Sequence, residues 1–166
     1  VLISGRGSNM KAIIDFWAEG NDEAPVGQSE PTLVLSNRPD APGLEFARAA
    51  GIPAVVVDHT AYGDRETFED AMIQTLEGHE VSWIVLAGFM RVLTERFVER
   101  FQGRILNTHP ALLPCFPGRD GVAQALAAGV KISGCTVHMV GIDVDAGPIL
   151  AQAAVPVLPD DDHDRL

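Results

Sequence analysis

The sequence predicts an α/β domain: a doubly wound, mostly parallel sheet with helices on both faces and an antiparallel edge near the C-terminal end. Three observations predict it. Short β-rich runs alternate with amphipathic helical patterns through the first two thirds of the chain, the links between them are short, and the last two β-rich runs are separated by a turn alone. A parallel strand needs a helical crossover to return, whereas an antiparallel partner needs only a turn.

The β-rich runs lie at residues 1–4, 32–36, 54–58, 83–87 and 104–107. After the first, Met10, Ile13, Ile14, Trp17 and Ala18 recur at the spacing of one buried helical face. A second helix is expected to begin near Asp40-Ala41-Pro42 and to end at Gly51, with cap, early Pro and terminal Gly in order. The third buries Phe68, Ala71, Met72, Thr75 and Leu76, while Asp64, Arg65, Glu66, Glu69 and Asp70 are expected to keep its start wet and acidic, as the helix dipole prefers. A fourth, over 94–102, buries Phe97, Val98 and Phe101. Past Asn107 come a Pro-rich loop (Pro110, Pro114, Pro117), a short helix over 122–128, and runs at 132–140 and 149–157 that should pair antiparallel. The Gly-, Asn-, Glu- and Pro-rich stretch 20–31 reads as a mobile loop.

At 166 residues, 46% apolar and 21% charged, the chain has the composition of one globular domain, 1–166, and not of a disordered segment. Its ends, inside an apolar run at Val1 and just after a helix-start pattern at Leu166, read as truncated. Twelve basic against 23 acidic residues give a net charge of −11, which argues against a broad grip on nucleic acid. The longest apolar runs, 83–87 and 151–157, fall short of the roughly 20 residues that span a bilayer, so no membrane segment is expected. Cys115 and Cys135 make no CxxC pair, which fits a reduced, cytoplasmic compartment.

Three places could carry chemistry. Ser4-Gly5-Arg6-Gly7-Ser8-Asn9 follows a strand and opens a helix, so that backbone N–H groups and the helix dipole converge on an anion site suited to phosphate. An ordinary strand-to-helix turn with a good N-cap would read the same way. The run lacks the Gly-Lys-Ser/Thr of a Walker loop, and Met10 stands where GxGxxG needs its third Gly. Asn107-Thr108-His109-Pro110 is placed just past the fifth strand, at the carboxyl edge where open α/β sheets bind ligands. There an Asn can donate to an oxyanion and a His can carry charge or move a proton, although a lone loop His is more commonly a polar surface residue. Third, the turn after His138 holds Asp143 and Asp145. Asp145 could reach an imidazole, fix its tautomer and favour its cationic form, or the two Asp could simply shape the turn.

His138, between Val137 and Met139, reads as a packed histidine rather than a catalyst. Residues 86–93 fit either a strand end with a core turn or the wall of a flat apolar pocket with one cation, Arg91. His59, His79 and His163 lack metal-site spacing, so no metal is expected. Cys115 has no evident activating base and reads as a structural thiol.

Together, SGRGSN (4–9), AGFMRVL (87–93), NTHPALLP (107–114) and DVDAGPI (143–149) resemble the folate-dependent formyltransferases, in particular those acting on glycinamide ribonucleotide in purine biosynthesis. The resemblance covers essentially all 166 residues, and four ordered motifs are far more specific than any one. It implies a doubly wound fold in which 10-formyltetrahydrofolate, as co-substrate, gives its formyl group to the amine of glycinamide ribonucleotide through a tetrahedral oxyanion intermediate. Carried over by position, Asn107, His109 and Asp145 match the catalytic Asn, His and Asp; Gly7, Ser8 and Asn9 match the phosphate-binding loop. Met90, Arg91, Val92, Leu93 and Val98 match residues lining the folate pocket, with Val140, Gly141, Ile142, Asp143 and Val144 closing over the pterin. The partners implied are these small molecules, with no nucleic acid, membrane or metal, and a monomer or homodimer.

One departure stands out. Where many family members have a His-containing stretch after the Pro-Gly of the Pro-rich loop, this chain reads Arg119-Asp120-Gly121-Val122. The family also continues for several elements beyond the position of Leu166. A formyltetrahydrofolate hydrolase would share Asn, His and Asp, but usually has a second His directly after the first, where Pro110 stands here. A methionyl-tRNA formyltransferase would lack the SGRGSN loop and need a basic surface. A non-catalytic nucleotide- or folate-binding domain would keep the cleft without the transfer.

Overall fold

The computed structural model describes residues 1–18 and 30–166, so positions 20–29 of the expected loop lie outside the described residues. The chain divides into two compact units, Val1–Phe97 and Val98–Leu166.

The first unit follows the alternating pattern: β1 (Leu2–Ile3), α1 (Ser8–Ala18), β2 (Val34–Ser36), α2 (Gly43–Ala49), β3 (Ala54–Val56), a 3₁₀ turn (His59–Ala61), α3 (Arg65–Gly78) and β4 (Ile84–Leu86). Its strands run parallel in the order β3-β2-β1-β4, with Val55, Leu35, Leu2 and Leu86 in register across them. The chain winds from β1 outward to β3 and returns on the other side of β1 as β4. The strand order therefore reverses between β1 and β4, where doubly wound sheets open a crevice at their carboxyl ends. Ile3, Met10, Ile14, Val34, Leu44 and Ala47 belong to one core cluster that joins strands to α1 and α2. Ala18, expected on the buried face of α1, is exposed because the helix ends there.

Two helix starts differ from expectation. Asp40 does not cap α2: Arg38 takes its carboxylate with Nε at 3.1 Å and Nη2 at 2.9 Å, and Pro42 occupies the N-cap position. Asp64 does cap α3, accepting from Thr67 N–H at 2.7 Å. Glu69, expected wet, is 3% exposed. Its burial is made tolerable by Thr94, whose backbone N–H donates to Oε1 at 2.9 Å and whose hydroxyl donates to Oε2.

The helix α4 (Glu95–Arg100) precedes β5 (Ile105–His109), α5 (Gly121–Ala128), β6 (Ile132–Met139) and β7 (Ile149–Pro156). As expected, Phe97, Val98 and Phe101 are buried. In the second unit, β5-β6-β7 are antiparallel neighbours. The fold is thus the α/β class that the sequence predicts, with its parallel strands and its antiparallel edge strands where the patterning put them. One boundary moves in a way that matters: the strand expected to end at Asn107 continues through Thr108 and His109, because pairing with β6 extends it.

Candidate active site

Strand register builds the second unit's polar cluster. Asn107 stands opposite His138, and His109 opposite Thr136. Because side chains two apart share a face, all four share one side of the β5–β6 pair. Between Val137 and His138 the β6–β7 register shifts, an irregularity of the kind that re-aims side chains. The turn that follows is held to the ends of β5 and β6 by Val140 N–H to Ile105 O and Met139 N–H to Pro148 O, both 2.9 Å. Gly147 permits this closeness, since a Cβ there would run into the carbonyl of Met139. Asp145 then enters the cluster from a left-handed backbone conformation, φ +53°.

The Asp145 carboxylate faces a donor or imidazole from each of four residues. Oδ2 accepts from Gly118 N–H at 2.7 Å and lies 3.2 Å from His109 Nδ1. Oδ1 lies 3.4 Å from both the Asn107 amide nitrogen and His138 Nε2. The His109 side chain is 4% exposed and Asp145's 9%, so the pair interacts with little screening by water. On its other side, His109 Nε2 donates to the carbonyl of Phe116 at 2.8 Å. Each ring nitrogen of His109 thus faces an acceptor oxygen, Asp145 Oδ2 at Nδ1 and Phe116 O at Nε2. His138 is oriented differently: its Nδ1 donates to Met139 O at 2.9 Å, leaving Nε2 toward Asn107 Nδ2 at 3.2 Å and Asp145.

The loop between β5 and α5 is tied down throughout. Thr136 Oγ1 donates to Ala111 O at 2.7 Å and accepts from Leu113 N–H at 3.0 Å. Gln124 Nε2 donates to the carbonyls of Pro117 and Arg119 at 3.1 and 3.0 Å. Phe116 and Asp120 both have positive φ, +55° and +62°. Left-handed non-Gly residues persist only where surroundings over-determine them, and Phe116, Asp120 and Asp145 concentrate around one imidazole. Asp120 caps α5 through Ala123 N–H at 3.1 Å. That bond, and next the His163 ring, hold its carboxyl below the usual carboxylate range.

In the first unit the expected phosphate loop sits at the β1–β4 reversal. Gly7 (φ +74°) packs so closely on α2 that a Cβ would lie 2.8 Å from Gly43 Cα, and Ser8 and Asn9 are exposed at the start of α1. Ser4 joins this loop to the segment after β4: its N–H donates to Gly88 O at 3.1 Å and its hydroxyl accepts from Met90 N–H at 2.8 Å. Met90 and Val92 are 78% and 55% exposed, while Arg91 lies over the Phe68 ring at 5.4 Å. In the second unit Val98 is buried, whereas Ile142, Asp143 and Val144 are exposed. Among the described residues, no group of three or more His, Cys, Asp or Glu is placed to hold a metal ion, and no helix is long and apolar enough to cross a membrane.

A formyl transferase family profile matches residues 1–166. The chain belongs to the formyl transferase family. Its relatives include the phosphoribosylglycinamide formyltransferase of Bacillus subtilis, 42% identical over 166 residues that are all of this chain and 81% of that protein. The trifunctional purine biosynthetic protein adenosine-3 of Drosophila melanogaster is 49% identical over the whole chain, which spans only 12% of that much longer protein. In structure, glycinamide ribonucleotide transformylase 1 from Symbiobacterium toebii superposes with a TM-score of 0.90 at 46% identity, over 99% of this chain and 75% of that one.

For this member of the family the sequence names Asn107, His109 and Asp145, and the structure brings all three together. It adds His138, whose burial the sequence anticipates but whose contact with Asn107 and Asp145 it does not. It also adds two backbone groups, Phe116 C=O and Gly118 N–H, which no side-chain pattern could reveal. A signal was available in the Pro117-Gly118 pair: a Gly at φ +80° can turn its N–H into a site.

Proposed function

We propose that the protein transfers the formyl group of 10-formyltetrahydrofolate to the primary amine of glycinamide ribonucleotide. The observation that carries this reading is the buried His109–Asp145 pair, beside an Asn amide whose hydrogen bonds are long enough to exchange. Family membership, and similarity along the whole of this chain to 81% of a phosphoribosylglycinamide formyltransferase, support the choice of substrates.

The chemistry follows from the donors. The amine nitrogen attacks the formyl carbon, a C–N bond forms, and the carbonyl π pair moves to oxygen. Asn107 Nδ2–H and His109 Nε2–H donate to that oxyanion, His109 leaving the Phe116 carbonyl to do so. Asp145 balances the imidazolium and, through water, takes a proton from the attacking nitrogen and returns one to the departing folate nitrogen N10. The oxyanion then collapses, breaking the bond to N10. Gly7, Ser8 and Asn9 at the β1–β4 reversal supply the phosphate site. Met90, Arg91, Val92, Leu93 and Val98, with Val140, Gly141, Ile142, Asp143 and Val144, take the folate.

His109→Ala tests the assignment. Removing the group should lower turnover by about a thousandfold while leaving binding of both substrates within about threefold, since general acid–base and oxyanion contributions act on the transition state. Unchanged turnover would overturn it.

A further inference from the structure

The run Arg119-Asp120-Gly121-Val122, where the chain departs from its family's pattern, carries an inference that rests on the reading of His109 given above. Gly121 opens α5 directly against the imidazole. A Cβ built there would lie 3.1 Å from His109 Nε2, 3.1 Å from Ala111 Cβ and 3.2 Å from Pro110 O. Each contact is tight enough that a neighbour would have to give by a few tenths of an ångström. None of the three has slack. Ala111 is fully buried, the Pro110 carbonyl is main chain, and the ring is fixed by Phe116 O at one nitrogen and Asp145 at the other.

The turn that brings Gly121 so close is fastened independently of it. Asp120, at φ +62°, caps Ala123 N–H and accepts from His163 Nε2 at 2.9 Å, while Gln124 Nε2 grips the carbonyls of Pro117 and Arg119. Between these fastenings lies Gly118, whose N–H holds Asp145. The first turn of α5 and the two groups that orient the His109–Asp145 pair therefore form one rigid bracket.

We propose that Gly121 is a positioning residue for His109: its missing side chain lets the first turn of α5, pinned by Asp120, close on the imidazole and set the direction of Nε2. Any side chain at 121 turns the ring away from the line of the reacting oxygen or lifts α5 and its loop with it.

The test uses Gly121→Ala in the full-length protein. Its backbone φ is one that Ala adopts, so the helix should form; the strain of the three contacts works against the chain entropy that Ala saves, and circular dichroism should show the variant folded at the assay temperature. Turnover should nonetheless fall about tenfold with KM for both substrates within about twofold, the signature of a misaimed group and not of lost binding. Without substrates, the His109 ring ¹⁵N resonances should move in Gly121→Ala. Asp120→Ala should lower turnover in the same way and Asp120→Asn should restore it, since Asn both caps a helix and accepts a left-handed backbone. Turnover of Gly121→Ala within about twofold of the parent, or unmoved His109 resonances, would overturn the proposal. A parent that transfers no formyl group would instead refute the proposed function, and the resonances would still decide whether Gly121 sets the ring.

Discussion

In the first unit, buried polar groups close on themselves. Ser4 Oγ donates to Asn37 Oδ1 at 2.6 Å and accepts from Met90 N–H, His59 Nδ1 donates to Asn37 O at 2.8 Å, and Glu69 is spent on Thr94. These bonds tie strand ends, and in Glu69 a helix, to loops. In the second unit, Asp145, His109, His138 and Asn107 share longer contacts of 3.2 to 3.4 Å, and two of these residues can carry opposite charge. The first network is scaffolding that shapes a backbone cradle. The second keeps donors that can be exchanged for a reacting atom. Burial of polar side chains alone does not mark a reactive site; a buried carboxylate shared between imidazoles and an amide does.

Breaking the charge in the second network should have the largest effect. Asp145→Asn keeps the shape, removes the counter-ion of His109, and should lower turnover by about a hundredfold or more in the transfer assay, within the range of general acid–base contributions. Glu69→Ala breaks the first network instead. It leaves Thr94 without its acceptor and should cost about 1–3 kcal/mol in urea unfolding. Equal loss of turnover from both variants would erase the distinction between the networks.

A gentler cut sharpens it. Ser4→Ala removes one neutral link between the β1–α1 turn and Met90 and should cost about 1 kcal/mol of stability; on the proposed reading it raises KM for the folate more than it lowers kcat. The smallest effect belongs to the surface. Asp64 is held below the usual carboxylate range chiefly by Thr67 N–H, then by the Thr67 hydroxyl. A depressed folded-state value means that its stabilisation is present above the unfolded carboxylate range and is lost as pH falls through the folded one. The gap in thermal midpoint between the parent and Asp64→Ala should therefore be widest near neutrality and close in acid.

The parallel half was legible because its helices carry apolar residues at helical spacing and its strands are short and aliphatic, as Met10, Ile14, Leu35 and Ile84 illustrate. Polar residues account for the misses. Thr108 and His109 look like loop because strands are seldom so polar, yet pairing with β6 makes them strand. Glu69 looks solvated because nothing local shows that Thr94, 25 positions on, will satisfy it. His138 could not be matched to Asn107 because α5 lies between β5 and β6, so no hairpin rule fixes their register. The motifs identified Asn107, His109 and Asp145; the carbonyl of Phe116 and the N–H of Gly118 come from backbone geometry that side-chain identity does not encode.

The central claim is tested most directly by following release of folate product from a 10-formyl folate analogue, spectrophotometrically, with the full-length protein in the presence and absence of glycinamide ribonucleotide. Product that appears only when the nucleotide is present is the predicted result. Product formed at the same rate without it would mean that water is the acceptor, and would contradict the assignment.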